Sequence, residues 1–112
     1  MPEFPDFIKG LPGLDIPFEG ISGHLLQGES QQVAFIEADK DTPVPEHSHQ
    51  AQWELVISGE VTLTMEGEQK THRQGDSFYI PEGVEHSAHV FAGYRAVIFF
   101  DQVDRYRAVV SE

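Results

Sequence analysis

The chain contains no cysteine, which excludes disulfides and any thiolate metal site, so a bound metal would have to be held by nitrogen and oxygen. That absence is consistent with a reducing compartment, and a cytoplasmic protein is expected. Basic residues are scarce: seven Lys and Arg face nineteen Asp and Glu, for a formal net charge of −12. Such a surface repels a phosphate backbone, and no basic patch or helix-turn-helix segment offsets it, so nucleic acid is not an expected partner. No apolar run approaches the roughly 20 residues of a membrane helix, so no membrane is expected either. Met1-Pro2-Glu3-Phe4 lacks the basic and apolar regions of a secretion signal. Repeats, low-complexity tracts and a convincing helical period before Asp101 are missing as well.

What is present points to strands. With 112 residues, 39% of them hydrophobic, the chain is sized for one domain with a modest core. Residues 1–19 carry Pro2, Pro5, Pro12 and Pro17 and are expected to form a non-helical arm. Its Phe4, Phe7 and Phe18 call for burial against the rest of the fold or a partner subunit. Residues 20–112 form the main body. Short apolar or alternating runs place strands at 20–27, 32–38, 53–58, 60–65, 69–72, 77–80, 86–90 and 94–100. Asp39 to Pro43 is expected as a polar turn, and Ser58-Gly59 as the tight turn pairing the strands on either side of it. Regular short strands predict an all-β barrel or sandwich. The tail, 101–112, is expected to add one helical turn or to exchange with a neighbour. Apolar outer strands make a homodimer the expected assembly.

The chemistry concentrates at Pro45-Glu46-His47-Ser48-His49-Gln50-Ala51-Gln52-Trp53-Glu54. Alternate residues of a strand share a face, so His47 and His49 are expected side by side, with Gln52 and Glu54 offering oxygen nearby. A later stretch, Gly75, Pro81, Gly83 and His86, brings a third histidine into a new strand after a Pro/Gly turn. Three imidazoles plus one side-chain oxygen suit a divalent transition metal, and iron, manganese, zinc and nickel all accept such a set. His89 stands at an odd offset from His86 and is expected to face away. His72, before a turn, is expected in solvent. His24 is not located by its surroundings, and Tyr94 and Arg95 read better as a packed ring and an exposed charge than as anion contacts.

His-x-His followed by Gln or Glu and then Gly, with Gly-x5-Pro-x-Gly-x2-His downstream, resembles the paired motif of the cupins. The resemblance spans roughly residues 43–100 and implies a double-stranded β-helix, or jelly-roll, barrel with His47, His49 and His86 as metal ligands. It puts Gln52 where the family commonly has an acidic ligand, and Val90 where an asparagine is common. Glu54 is then a second candidate ligand, a general base, or a group orienting a histidine. Four protein ligands on a six-coordinate ion would leave two positions for a small polar or anionic molecule. Small cupins with this ligand set are similar to proteins that open unsaturated uronates. Those use an aspartate on the last strand, and Ala96 to Phe100 holds none. The resemblance therefore implies a metal-dependent cupin with isomerase-like or oxygenase-like activity, or a barrel that binds a metabolite without turning it over.

Overall fold

A computed structural model describes residues 3–109. In chain order the elements are α1 (Asp6–Lys9), β1 (Ile21–Gln27), β2 (Gln32–Ala38), β3 (Thr42–His47), β4 (Gln52–Ser58), β5 (Glu60–Met65), β6 (Glu68–Arg73), β7 (Ser77–Ile80), β8 (His86–Val90) and β9 (Arg95–Phe100). They form a five-stranded sheet in the order β1-β2-β9-β4-β7 and a four-stranded sheet in the order β3-β8-β5-β6. Neighbouring strands pair antiparallel throughout. The protein is an all-β jelly roll.

Period-two alternation builds the core between the sheets. β2 buries Ala34, Ile36 and Ala38, β5 buries Val61 and Leu63, and β9 buries Ala96, Ile98 and Phe100. Burial of each large apolar side chain contributes roughly 1.5–3 kcal/mol. On the outer face of the five-stranded sheet, Phe99, Trp53 and Tyr79 lie opposite one another across β9, β4 and β7. All three are exposed.

Several expectations from sequence are corrected here. Ser58-Gly59 does not join a paired hairpin, because β4 and β5 lie in different sheets. Gly59, with φ at 70°, is the corner between them and adopts a left-handed conformation that glycine takes without a Cβ penalty. A Cβ there would lie 2.8 Å from Gly93 O and from the Tyr94 backbone. Ser58 Oγ donates to the same Gly93 carbonyl at 3.0 Å. The expected turn at Pro43 is instead strand: β3 already starts at Thr42. β3 is a sheet edge, where a proline lacking its N–H need break no ladder.

The arm is not free of helix. α1 follows Pro5 at its N-cap and stops at Gly10, ahead of Pro12, which is where proline is compatible with a helical turn. Phe4 is buried edge-on against Phe35 at 5.8 Å, but Phe7 is 80% exposed. Pro2 lies outside the described residues. The tail shows no helical turn over 101–109. It runs beside the arm instead: Asp15 N donates to Arg107 O at 2.9 Å, and Val109 N to Gly13 O at 2.8 Å. Val110 to Glu112, where any further exchange would begin, lie outside the described residues.

Candidate functional site

His47, the last residue of β3, stands opposite His86, the first of β8. Because β3 ends there, strand alternation does not carry His49 to the same face. A loop does: residues 48–51 leave the strand, and Gly83 N–H ties the loop by donating to His49 O at 2.9 Å. The rings still meet, with centroids 5.1 Å apart for His47 and His49, 4.3 Å for His47 and His86, and 4.9 Å for His49 and His86. One ligating nitrogen from each ring lies within 4.8 Å of the other two.

The backbone selects which nitrogen. His47 Nδ1 donates to Pro45 O at 2.8 Å, His49 Nδ1 to Gln50 O at 2.7 Å and His86 Nδ1 to Val84 O at 3.0 Å. A carbonyl can only accept, so each Nδ1 carries the proton and each neutral ring keeps its lone pair on Nε2. Burial pushes His49 down to about 4, with the charges of Arg105, His86 and His47 acting in the same direction against the Gln50 carbonyl. Burial also holds His86 below its ordinary value. Both are neutral donors near pH 7. His49 Nε2 is buried and makes no hydrogen bond among the described residues, an arrangement that calls for a missing partner. A divalent cation fits this set of soft-to-borderline nitrogens, and the three residues could hold one.

Gln52 opens β4, two positions before Glu54, and both are buried. Gln52 Nε2 donates to Glu54 Oε1 at 2.9 Å, which leaves the Gln52 amide oxygen as the atom available to a cation. Tyr94 donates its hydroxyl to Glu54 Oε2. Burial pushes the Glu54 carboxyl up to about 7, the Tyr94 and Gln52 hydrogen bonds opposing it. Burial, and then the Glu54 charge, raise Tyr94. His47, His86, Gln52, Glu54 and Tyr94 line one cavity of about 80 Å³ inside the barrel, whose walls are otherwise largely apolar.

The remaining histidines lie apart from it. His89 packs against Phe91 at 4.6 Å. His24 Nδ1 is bonded to Leu11 O at 3.1 Å. His72, expected in solvent, is instead buried and stacked on Phe78 at 4.4 Å, because β6 turns it inward opposite Val61. Arg95 is half-buried and paired with Glu37 at 3.1 Å rather than exposed. Tyr94 is a packed ring with no exposure, and its hydroxyl serves the site. Sequence reasoning missed Arg105 and Tyr106, which also line the cavity, and Gln32, which holds them in place. Gln32 Nε2 donates to Tyr106 O at 2.9 Å, and Tyr106 N donates back to Gln32 Oε1 at 3.1 Å. The run Arg105-Tyr106-Arg107 in so acidic a chain was the one available signal.

A jelly-roll barrel with three imidazoles gathered together, two of them lining its cavity, defines a small single-domain protein with a potential metal site. The chain belongs to the cupins: the family model described as "Cupin domain" matches residues 33–100. Among solved structures it is similar to an RmlC-like cupin from Shewanella frigidimarina NCIMB 400, at 24% identity and a TM-score of 0.75, covering 93% of this chain and 94% of that one. It is also similar to KdgF from Halomonas sp., at 20% identity and a TM-score of 0.71 over 82% and 88% of the two chains. The polyketide cyclase RemF from Streptomyces resistomycificus matches at 15% identity and a TM-score of 0.72 over 100% and 87%. At these identities the likeness is one of fold. No curated protein sequence matches the chain. Among the described residues no helix is long and apolar enough to cross a membrane.

Proposed function

We propose that the protein is a metal-dependent cupin that binds and transforms a small polar or anionic metabolite by isomerase-like or oxygenase-like chemistry. The observation that carries this reading is the buried, unpartnered Nε2 of His49, set among imidazoles whose Nδ1 protons are already committed to backbone carbonyls. His47, His49, His86 and the Gln52 amide oxygen are the proposed ligands, and all four are neutral. A bound divalent ion would keep its full charge and supply Lewis acidity to an oxygen of the ligand. Glu54 is the proposed proton-transfer residue, since it lines the same cavity and Tyr94 and Gln52 orient its two oxygens. RemF, a polyketide cyclase on the same fold, accords with catalysis by such a barrel.

The alternative, a metabolite-binding or sensor cupin without turnover, is favoured by one observation: both Glu54 oxygens are already bonded within the protein. Elemental analysis of untagged protein tests the metal. Roughly one divalent transition ion per chain is expected; none after dialysis against iron, manganese, zinc and nickel salts counts against the site. Glu54→Gln separates the two readings, because a proton-transfer role predicts a loss of about 10²–10⁴ in turnover with metal retained. The same proposal includes a homodimer built on the uncharged row of Phe99, Trp53 and Tyr79, which sedimentation of wild type and Trp53→Glu would test.

A further inference from the structure

Arg105 stands out among the chain's cations. Lys9, Lys40, Arg73 and Arg95 each pair with a glutamate within 3.1 Å. Lys70, Arg105 and Arg107 make no ion pair among the described residues, and of these three Arg105 alone has a buried side-chain nitrogen without a partner there. Its Nε is buried and has no hydrogen-bond partner there. A buried guanidinium N–H left unpaired is costly, and native structures rarely keep one without a use.

The side chain is nonetheless held. The guanidinium carbon lies 4.5 Å from the Tyr106 ring centroid and 5.7 Å from that of Phe100, within the range of cation–π attraction. The two Gln32–Tyr106 backbone bonds, 2.9 and 3.1 Å, anchor the next residue. Gln32 is itself 1% exposed, so the anchor is rigid. Arg105 thus presents a fixed positive fork to the cavity that His47, Gln52 and His86 also line. Glu54 lines the same cavity but forms no ion pair with it, its two oxygens being bonded to Gln52 and Tyr94. An arginine fork matches a carboxylate with two parallel hydrogen bonds, which a lysine point charge does not. The cavity, about 80 Å³ in volume, suits a small ligand.

We propose that Arg105 is the anion-recognition residue of this cavity, and that the ligand is a small organic acid whose carboxylate the guanidinium holds while its other oxygens face the histidine cluster. Only the second half of that statement rests on the metal reading. The test is calorimetric titration of acetate, lactate and malonate, each against its amide, into wild type, Arg105→Gln and Arg105→Lys, with metal content measured in parallel.

Wild type should bind at least one acid about tenfold or more tightly than its amide, the least a charge-assisted pair contributes. Arg105→Gln should lose about 10- to 100-fold for that acid and nothing for the amide, and Arg105→Lys should recover part of the loss. Metal content should be the same in all three. On ¹⁵N-labelled wild type, the Arg105 Nε–H resonance should move with the acid and stay put with the amide, which decides the matter even if a variant fails to fold. If no acid outcompetes its amide, or Arg105→Gln binds the acid as wild type does, the assignment is wrong. If wild type holds no metal, the metal reading fails alone, because the same discrimination by Arg105 is then read in metal-free protein.

Discussion

Replacing Tyr94 with phenylalanine tests whether the buried Glu54–Tyr94 contact is an energetic feature of the fold. The ring is fully buried and stays in place, so no apolar area is lost. What disappears is the hydroxyl that donates to Glu54 Oε2, while Gln52 keeps Oε1 at 2.9 Å. A hydrogen bond to a charged acceptor contributes about 1.5–3 kcal/mol, against about 0.5–1.5 kcal/mol between neutral groups. The higher figure applies when the carboxyl is ionised, above the value of about 7 to which burial pushes it. Urea unfolding of chelator-treated protein above that pH should therefore show a loss of about 1.5–3 kcal/mol. For a domain of this size that corresponds to a fall in Tm of roughly 6–12 °C. In a Glu54→Gln background the acceptor is a neutral amide oxygen, and the same replacement should cost about 1 kcal/mol less. A cost below about 0.5 kcal/mol in the wild-type background, or equal costs in both, would refute the reasoning.

Three further predictions concern the proposed ligands, the sheet corner at Gly59 and the buried His72. His49→Ala and His86→Ala should each strip the metal, whereas Gln52→Ala should weaken its binding by about 10–100-fold; elemental analysis decides, and wild-type metal content in both histidine variants would overturn the ligand set. Gly59→Ala should lose about 1–2 kcal/mol for its left-handed backbone and more for the contacts at 2.8 Å with Gly93 and Tyr94. Gly67→Ala, with φ at 77° and nothing within 4 Å, should cost only the first part, so equal losses would discount the Gly93 contact. Burial holds the His72 imidazole below its ordinary 6.5, so the unfolded chain takes up the proton first as pH falls. The stability this contributes is present above pH 6.5 and is lost below it. His72→Phe should flatten that part of the stability–pH curve, and an unchanged slope would show that His72 plays no part in it.

Much of the molecule was legible in the chain itself. The alternation in β2 and β5 and the spacing of strands depend on neighbours a few residues apart, whereas His86, far along the chain, was joined to His47 and His49 through the resemblance to the cupin motif. Over a few residues the pleat dictates where a side chain points. His49 shows the limit even at short range: the expected proximity came about, but through a loop tied to Gly83 rather than through strand alternation. Gly59 was visible as a turn, yet whether it joined a hairpin or two sheets depended on which strands β4 and β5 chose as partners.

Composition and local spacing by themselves determined the all-β class and the exclusion of thiolate chemistry, and the histidine cluster was legible through the resemblance to the cupin motif. Tertiary structure alone decided what surrounds that cluster. Tyr94 reaches Glu54 across 40 residues of chain, and Gln32 holds Tyr106 across 74. Arg105 enters the cavity only because the tail runs back along the proline-rich arm. No local period encodes such meetings: they follow from sheet order and from how the two ends of the chain pack, where each contact is settled by burial and hydrogen-bond satisfaction of the whole fold.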